Sequence, residues 1–236
     1  MQSTNESEQP APNTIAKATD KATFSHKHKI VFVPRWAALI AALAIGLLYM
    51  ALPERLTYGP SWLLLAIEVV LLLPLMFSWA SRRTLPHAAI RILTFAFLVA
   101  VTLGLVGSIA LLIITLPQAK ASIRLLRDAG LLWCTNILVF AFWYWEVDGG
   151  GPHMRQHTGH QAADFMFPQQ ADGNKTGWVP EFIDYLFVAF TGATALSPTD
   201  TYPLTRPAKL LMMIEAILSL IVIALLAARA VNILSG

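Results

Sequence analysis

Apolar residues fall in five long runs along this chain, at positions 36–52, 61–79, 90–116, 130–145 and 209–234, with short polar islands between them. A helix of about 20 residues crosses roughly 30 Å of hydrocarbon, so each run predicts a membrane-spanning helix. The fourth run is short, and the pattern extends it backwards to Ile123. The third and fifth are long enough to tilt. Pro34, Pro53, Pro60, Pro86, Pro117, Pro152, Pro180 and Pro207 all lie between runs, which is where a residue that breaks helix interiors belongs. Pro74 is the exception and predicts a kink in the second span. Trp36, Trp62, Trp79, Trp143, Tyr144 and Trp145 sit at run ends, where amphipathic rings favour the head-group layer. The expected fold class is all-α: a polytopic transmembrane helix bundle with five spans.

The rest of the chain is organised around these runs. Residues 1–34, rich in Ser, Thr, Asn, Gln, Lys and Pro, bury too little apolar area to offset ordering entropy and are expected to form a disordered tail. Residues 35–145 carry four spans, 146–180 form a polar loop, and 181–236 hold a short helix, a hairpin and the last span. The run at 182–191 (FIDYLFVAFT) is too short to cross a bilayer, and a small, polar, proline-bearing stretch follows it to Arg206. That pattern predicts a re-entrant hairpin, because irregular backbone at membrane depth is tolerated only where protein or a water-filled cavity covers it. The competing expectation is an amphipathic helix lying flat on the membrane.

Composition sharpens the class. Of 236 residues, 56% are hydrophobic and 13% charged, against about 25% charged in an average soluble domain. A water-soluble globular enzyme is excluded on that ground. The net charge of +3 does not point to nucleic acid, because Lys27, Lys29 and Arg35, like Arg82, Arg83 and Arg91, sit beside apolar runs and face lipid head groups. Cys134 is the single cysteine, so an intrachain disulfide or a Cys-based zinc site is ruled out. No signal peptide is expected, since the first apolar run begins only at Trp36 and no small-residue cleavage site follows Leu52. With five spans, a cytoplasmic amino terminus leaves only Arg55, Lys120, Arg124, Arg127 and Arg229 of the 17 basic residues on the far side. The positive-inside rule favours that orientation, in a cell inner membrane.

Candidate chemistry is sparse. Ala38, Ala42 and Gly46 share a helix face that can approach another helix closely, and Gly104 and Gly107 offer a second such place. Glu68, Asn136 and Glu215 are polar residues inside spans. A carboxylate at mid-bilayer costs at least about 2.5–3.5 kcal/mol, so each must face a partner or water. They mark either an ion or proton path or hydrogen bonds that lock helices together. His153, His157 and His160 form the densest imidazole cluster. Gly149–Gly151 before it and Gly159 within it argue against a stable helix, so a solvated loop is expected in preference to a metal site. No catalytic motif occurs, and neither enzymatic activity nor a cofactor is expected.

From Phe182 onward the order of elements resembles the pore module of two-span, tetrameric potassium channels: short pore helix, filter loop, inner helix. The run Thr194, Ala195, Leu196, Ser197, Pro198, Thr199, Asp200, followed by Tyr202, Pro203, Leu204 and Thr205, lies where those channels carry their filter. The alignment puts Ser197 and Thr199 on the filter's two glycines, Pro198 on its tyrosine and Asp200 on its aspartate. Ser and Thr adopt the glycine conformations poorly, and Pro198 fixes its own backbone. The resemblance therefore implies an oligomeric, channel-like pore for ions or small solutes without a potassium-type filter, a tetramer with Asp200 and Glu215 around its axis. That hairpin enters from outside, opposite to the orientation the basic residues favour. The chain also resembles an uncharacterised family of bacterial five-span membrane proteins, through Gly149–Gly151, Phe167 and Pro168, Asp184 and Tyr185, Asp200, and Val231 and Asn232. The alternative from a different class is a non-conducting membrane scaffold or assembly protein.

Overall fold

The computed structural model describes residues 36–57, 87–115, 123–194 and 200–234, with separate positions between 59 and 73. The tail at 1–34, Glu68 and most of the second predicted span lie outside the described residues. Six α-helices have described bounds, in order α1 (Trp36–Met50), α2 (His87–Thr115), α3 (Ile123–Val147), α4 (Pro152–His157), α5 (Phe182–Thr194) and α6 (Arg206–Leu234), and the separate positions described between 62 and 73 are helical as well. A two-residue strand β1 (Phe165–Met166) pairs antiparallel with β2 (Tyr202–Pro203), Phe165 opposite Pro203 and Met166 opposite Tyr202. All described residues belong to one unit, Phe32–Gly236.

Among the described residues, three helices are long and apolar enough to cross a membrane: Ala88–Thr115, Arg124–Gly150 and Arg206–Val231. They coincide with the third, fourth and fifth predicted runs, including the backward extension to Ile123. The fifth begins earlier than its apolar run, at Arg206, with Pro207 in the first turn, where a missing N–H costs nothing. The first run yields the shorter helix α1. Three of the five expected spans are thus present as long helices among the described residues, and the second lies mostly outside them.

α3 is the hub, packing against α1, α2, α5 and α6. Leu132, Val139, Phe140, Ala141, Tyr144 and Trp145 are buried along it, and Ala42 and Ile45 of α1 and Leu98 and Leu105 of α2 are buried with them. The outward faces stay apolar: Ile92, Leu103 and Ile114 on α2 and Leu220 on α6 are each about two-thirds exposed. Such contiguous apolar surface is foreign to a soluble monomer and ordinary beside lipid tails. The helix ends carry the charges. Asp128, fully buried near the start of α3, accepts from Arg55 at 2.9 Å and pairs with Arg127 at 3.2 Å, which ties the turn after α1 to the base of the hub.

Candidate functional site

α5 has 13 residues and α6 has 29, so at 1.5 Å per residue α5 is about 20 Å long and α6 about 43 Å. Both start beside the segment that joins α3 to α5. Ala193, at the far end of α5, accepts through its carbonyl from the Ser219 hydroxyl at 2.5 Å, and Ser219 lies about 20 Å along α6. α5 therefore stops roughly half-way down its neighbour. By Tyr202 the chain has returned to the starting end, where β2 pairs with β1 and the Leu204 N–H donates to the Asp164 carbonyl at 2.8 Å.

The end of α5 meets a buried polar cluster built by α3 and α6. Trp133 Nε1 donates to Ser219 Oγ at 3.0 Å, and Asn136 Nδ2 reaches the Glu215 carbonyl at 3.4 Å. The Tyr144 hydroxyl hydrogen-bonds Glu215 Oε2. Glu215 and Ser219 are one turn apart, which points both at α3 and α5. Gly192 is the residue of α5 that lets them in: a Cβ there would stand 3.0 Å from Glu215 Oε2. Glu215 Oε1 and Asn136 Oδ1 are buried without a hydrogen-bond partner among the described residues.

One expectation changes here. Glu215 is fully buried, enclosed by α3 and α5 of its own chain, and Asp200 is exposed. Tyr144 and Trp145 are buried core rings rather than head-group anchors, because the chain after α3 folds back over them. Asn136 and Glu215 do come together. Thr194 is half-buried and its hydroxyl donates to the Phe190 carbonyl at 2.8 Å. Ala195, Leu196, Ser197, Pro198 and Thr199 lie outside the described residues. Sequence reasoning missed Trp133, Gly192 and Ser219, although the four-residue spacing of Glu215 and Ser219 was a usable signal.

The loop expected at 146–180 is a folded cap that seats the start of α5. Asp148 is its keystone: Oδ1 accepts the N–H groups of Asp164 and Phe165 at 3.0 Å each, and Oδ2 accepts the Tyr185 hydroxyl at 2.6 Å. Arg155, also buried, donates to the carbonyls of Trp145 at 2.7 Å and Asp148 at 2.6 Å, with its guanidinium over the Tyr185 ring. Gly149 makes room for it, at φ +58°, since a Cβ there would lie 2.9 Å from Arg155 Cγ. Asp164 binds the return segment, accepting from Thr205 Oγ1 at 2.6 Å. Phe165, Phe167 and Tyr185 pack edge to face.

The helix thought unstable near the histidines is present as α4. The three glycines end α3 and turn the chain, and Pro152 then begins a new helix that Arg155 pins from beneath. His160 is separate from the other two: it lies beyond α4 at φ +55° and is buried. Its carbonyl accepts from Gln170 Nε2 at 2.8 Å and Asn174 Nδ2 at 3.0 Å. Burial, and after it the Arg155 charge, lower the His160 pKa from its usual 6.5.

Two outcomes follow from this packing. Gly192→Ala should cost about 1–3 kcal/mol by overpacking against the Glu215 carboxyl. In a Glu215→Ala background the same change should be neutral or stabilising, because alanine is the better helix former. Thermal unfolding in detergent measures both, and an equal cost in the two backgrounds would disprove the contact. His160 binds its proton more weakly folded than unfolded, so its contribution to cap stability is complete above about pH 6.5 and is lost as pH falls through the lowered folded value. Melting between pH 7.5 and 5 should show this loss in the wild type and less of it in His160→Asn. Identical acid sensitivity in both would assign it elsewhere.

No protein-family model, curated protein or solved structure gives a significant match to the chain.

Proposed function

We propose that the chain is a multi-pass inner-membrane protein, with its amino terminus cytoplasmic, whose segment 182–205 is a re-entrant hairpin in an oligomeric pore for ions or small solutes. The observation that carries the reading is the depth of α5, which ends at Ser219, half-way along α6, while the chain is back at the cap by Tyr202. A helix that enters lipid and stops there needs its last carbonyls covered by protein. Ser219, Trp133 and Thr194 supply donors for that. Short pore helix, return and long final helix are also the order in which the sequence resembles the potassium-channel pore module.

The pathway in this reading lies between copies of the chain. The inward side of α5 is filled by Glu215, Tyr144 and their neighbours, whereas Ile183, Phe187 and Phe190 face outward, each exposed. Asp200 is the exposed acid where the return leaves the hairpin, and a ring of such carboxylates sets a preference for cations. With Ser197, Pro198 and Thr199 in place of a glycine-built filter, discrimination between K⁺ and Na⁺ is weak.

A second reading draws on the same buried cluster. Glu215 is bonded inside one chain, as a residue that braces helices would be, which favours a non-conducting scaffold whose hairpin only completes the bundle. Flux assays on purified protein in liposomes separate the two. The pore reading expects cation flux with little K⁺/Na⁺ selectivity, and a weaker cation preference in Asp200→Asn with unchanged folding. Steep potassium selectivity would refute the filter argument, and no flux for any ion tested would overturn the pore reading in favour of the scaffold.

A further inference from the structure

The cap holds one side-chain pair that the proposed hairpin does not use. His153 and His157 are one turn apart on α4, a helix of six residues. Arg155 lies between them in sequence and about 200° round the helix from His153. Its guanidinium is buried against the Trp145 and Asp148 carbonyls, so the helix cannot roll, and the two imidazoles are held on its opposite face. Their ring centroids are 4.8 Å apart, with the planes at 58°.

That spacing falls within the range two imidazoles on one metal ion occupy. A nitrogen–metal bond of about 2.0–2.1 Å places two coordinated imidazole centroids roughly 4.5–5.2 Å apart, for angles from square-planar to tetrahedral. The third histidine of the cluster does not take part, because the His160 ring is buried beyond the end of α4. Among the described residues no group of three or more His, Cys, Asp or Glu side chains is gathered for a metal. A two-imidazole site therefore leaves the remaining positions to water, an open coordination sphere suited to ions that favour nitrogen ligands.

We propose that His153 and His157 chelate a divalent first-row transition ion on the outer surface of the cap, with water completing the coordination. Affinity follows the order Cu²⁺ above Ni²⁺ and Zn²⁺ for such a site. The bound ion joins the second residue of α4 to its last, and so secures a helix too short to be stable alone. Arg155 then transmits that restraint to the Asp148 and Tyr185 contacts that seat α5.

Full-length protein, purified without a histidine tag and kept in detergent, is titrated with Ni²⁺ and with Cu²⁺. One equivalent should bind, with at least tenfold weaker affinity in His153→Ala and in His157→Ala. His160→Asn should bind as the wild type does, and so should the double variant His26→Ala/His28→Ala, which removes the other closely spaced pair. Electron paramagnetic resonance of the Cu²⁺ complex should show two imidazole nitrogens, reduced to one in either single alanine variant. Absence of saturable binding overturns the proposal. So does binding that survives His157→Ala, or that disappears with the tail pair.

Discussion

A helix that ends beside the middle of its neighbour leaves its last carbonyls among packed side chains, which must supply their donors, and the organisation of this chain follows from that constraint. The Ser219 hydroxyl and the Trp133 indole converge on the Ala193 carbonyl, and Thr194 turns its own hydroxyl back to Phe190. These bonds require α3, α5 and α6 to approach closely at one level. Gly192 permits the approach, with the Glu215 carboxyl in the space a side chain would fill. α3 is accordingly both the most buried of the long helices and the one whose inner face carries Trp133, Asn136 and Tyr144.

The other end of α5 is held by different chemistry. Asp148 and Arg155 form a buried ion pair, Nη1 to Oδ2 at 4.0 Å, and breaking such a pair costs about 3–5 kcal/mol because it strands a charge. Their remaining bonds go mostly to backbone: two N–H groups on Asp148 and two carbonyls on Arg155. The pair therefore fixes the path of the chain from α3 through the glycine turn to β1, and through Tyr185 it fixes the entry of α5. Asp164 extends the same network to Thr205, so the start of α6 is set by the cap as well. Entry and return of the segment 182–205 are thus clamped at one end of the bundle, and its far end is clamped by α6.

The long helices were legible in the sequence because burial in lipid or protein demands unbroken apolar runs, and prolines mark their ends. The short length of α5 was legible for the same reason. The cap was not, because its stability comes from a few long-range bonds by Asp148, Arg155 and Asp164, which leave no periodic trace. Gly149–Gly151 read as a reason against order, yet these glycines supply the positive φ angles that let Pro152 start a new helix over Arg155. Glu215 and Asn136 stood out as polar residues in apolar runs, but their direction depends on how α6 is rotated against α3. Spacing within one helix does not fix that rotation. Tyr144 read as an interfacial ring for want of any sign that residues 148–180 fold over it.

The depth of α5 is the point on which the account stands. Nitroxide labels placed singly at Ile183, Phe187, Phe190, Thr194 and Tyr202, in protein reconstituted into liposomes, report depth through the balance of oxygen and polar-relaxant accessibility. The account predicts a steady increase in depth from 183 to 194, reaching the bilayer centre, and a shallow position again at 202. Equal, shallow depths at all five positions would show α5 lying flat on the membrane surface, and would contradict it.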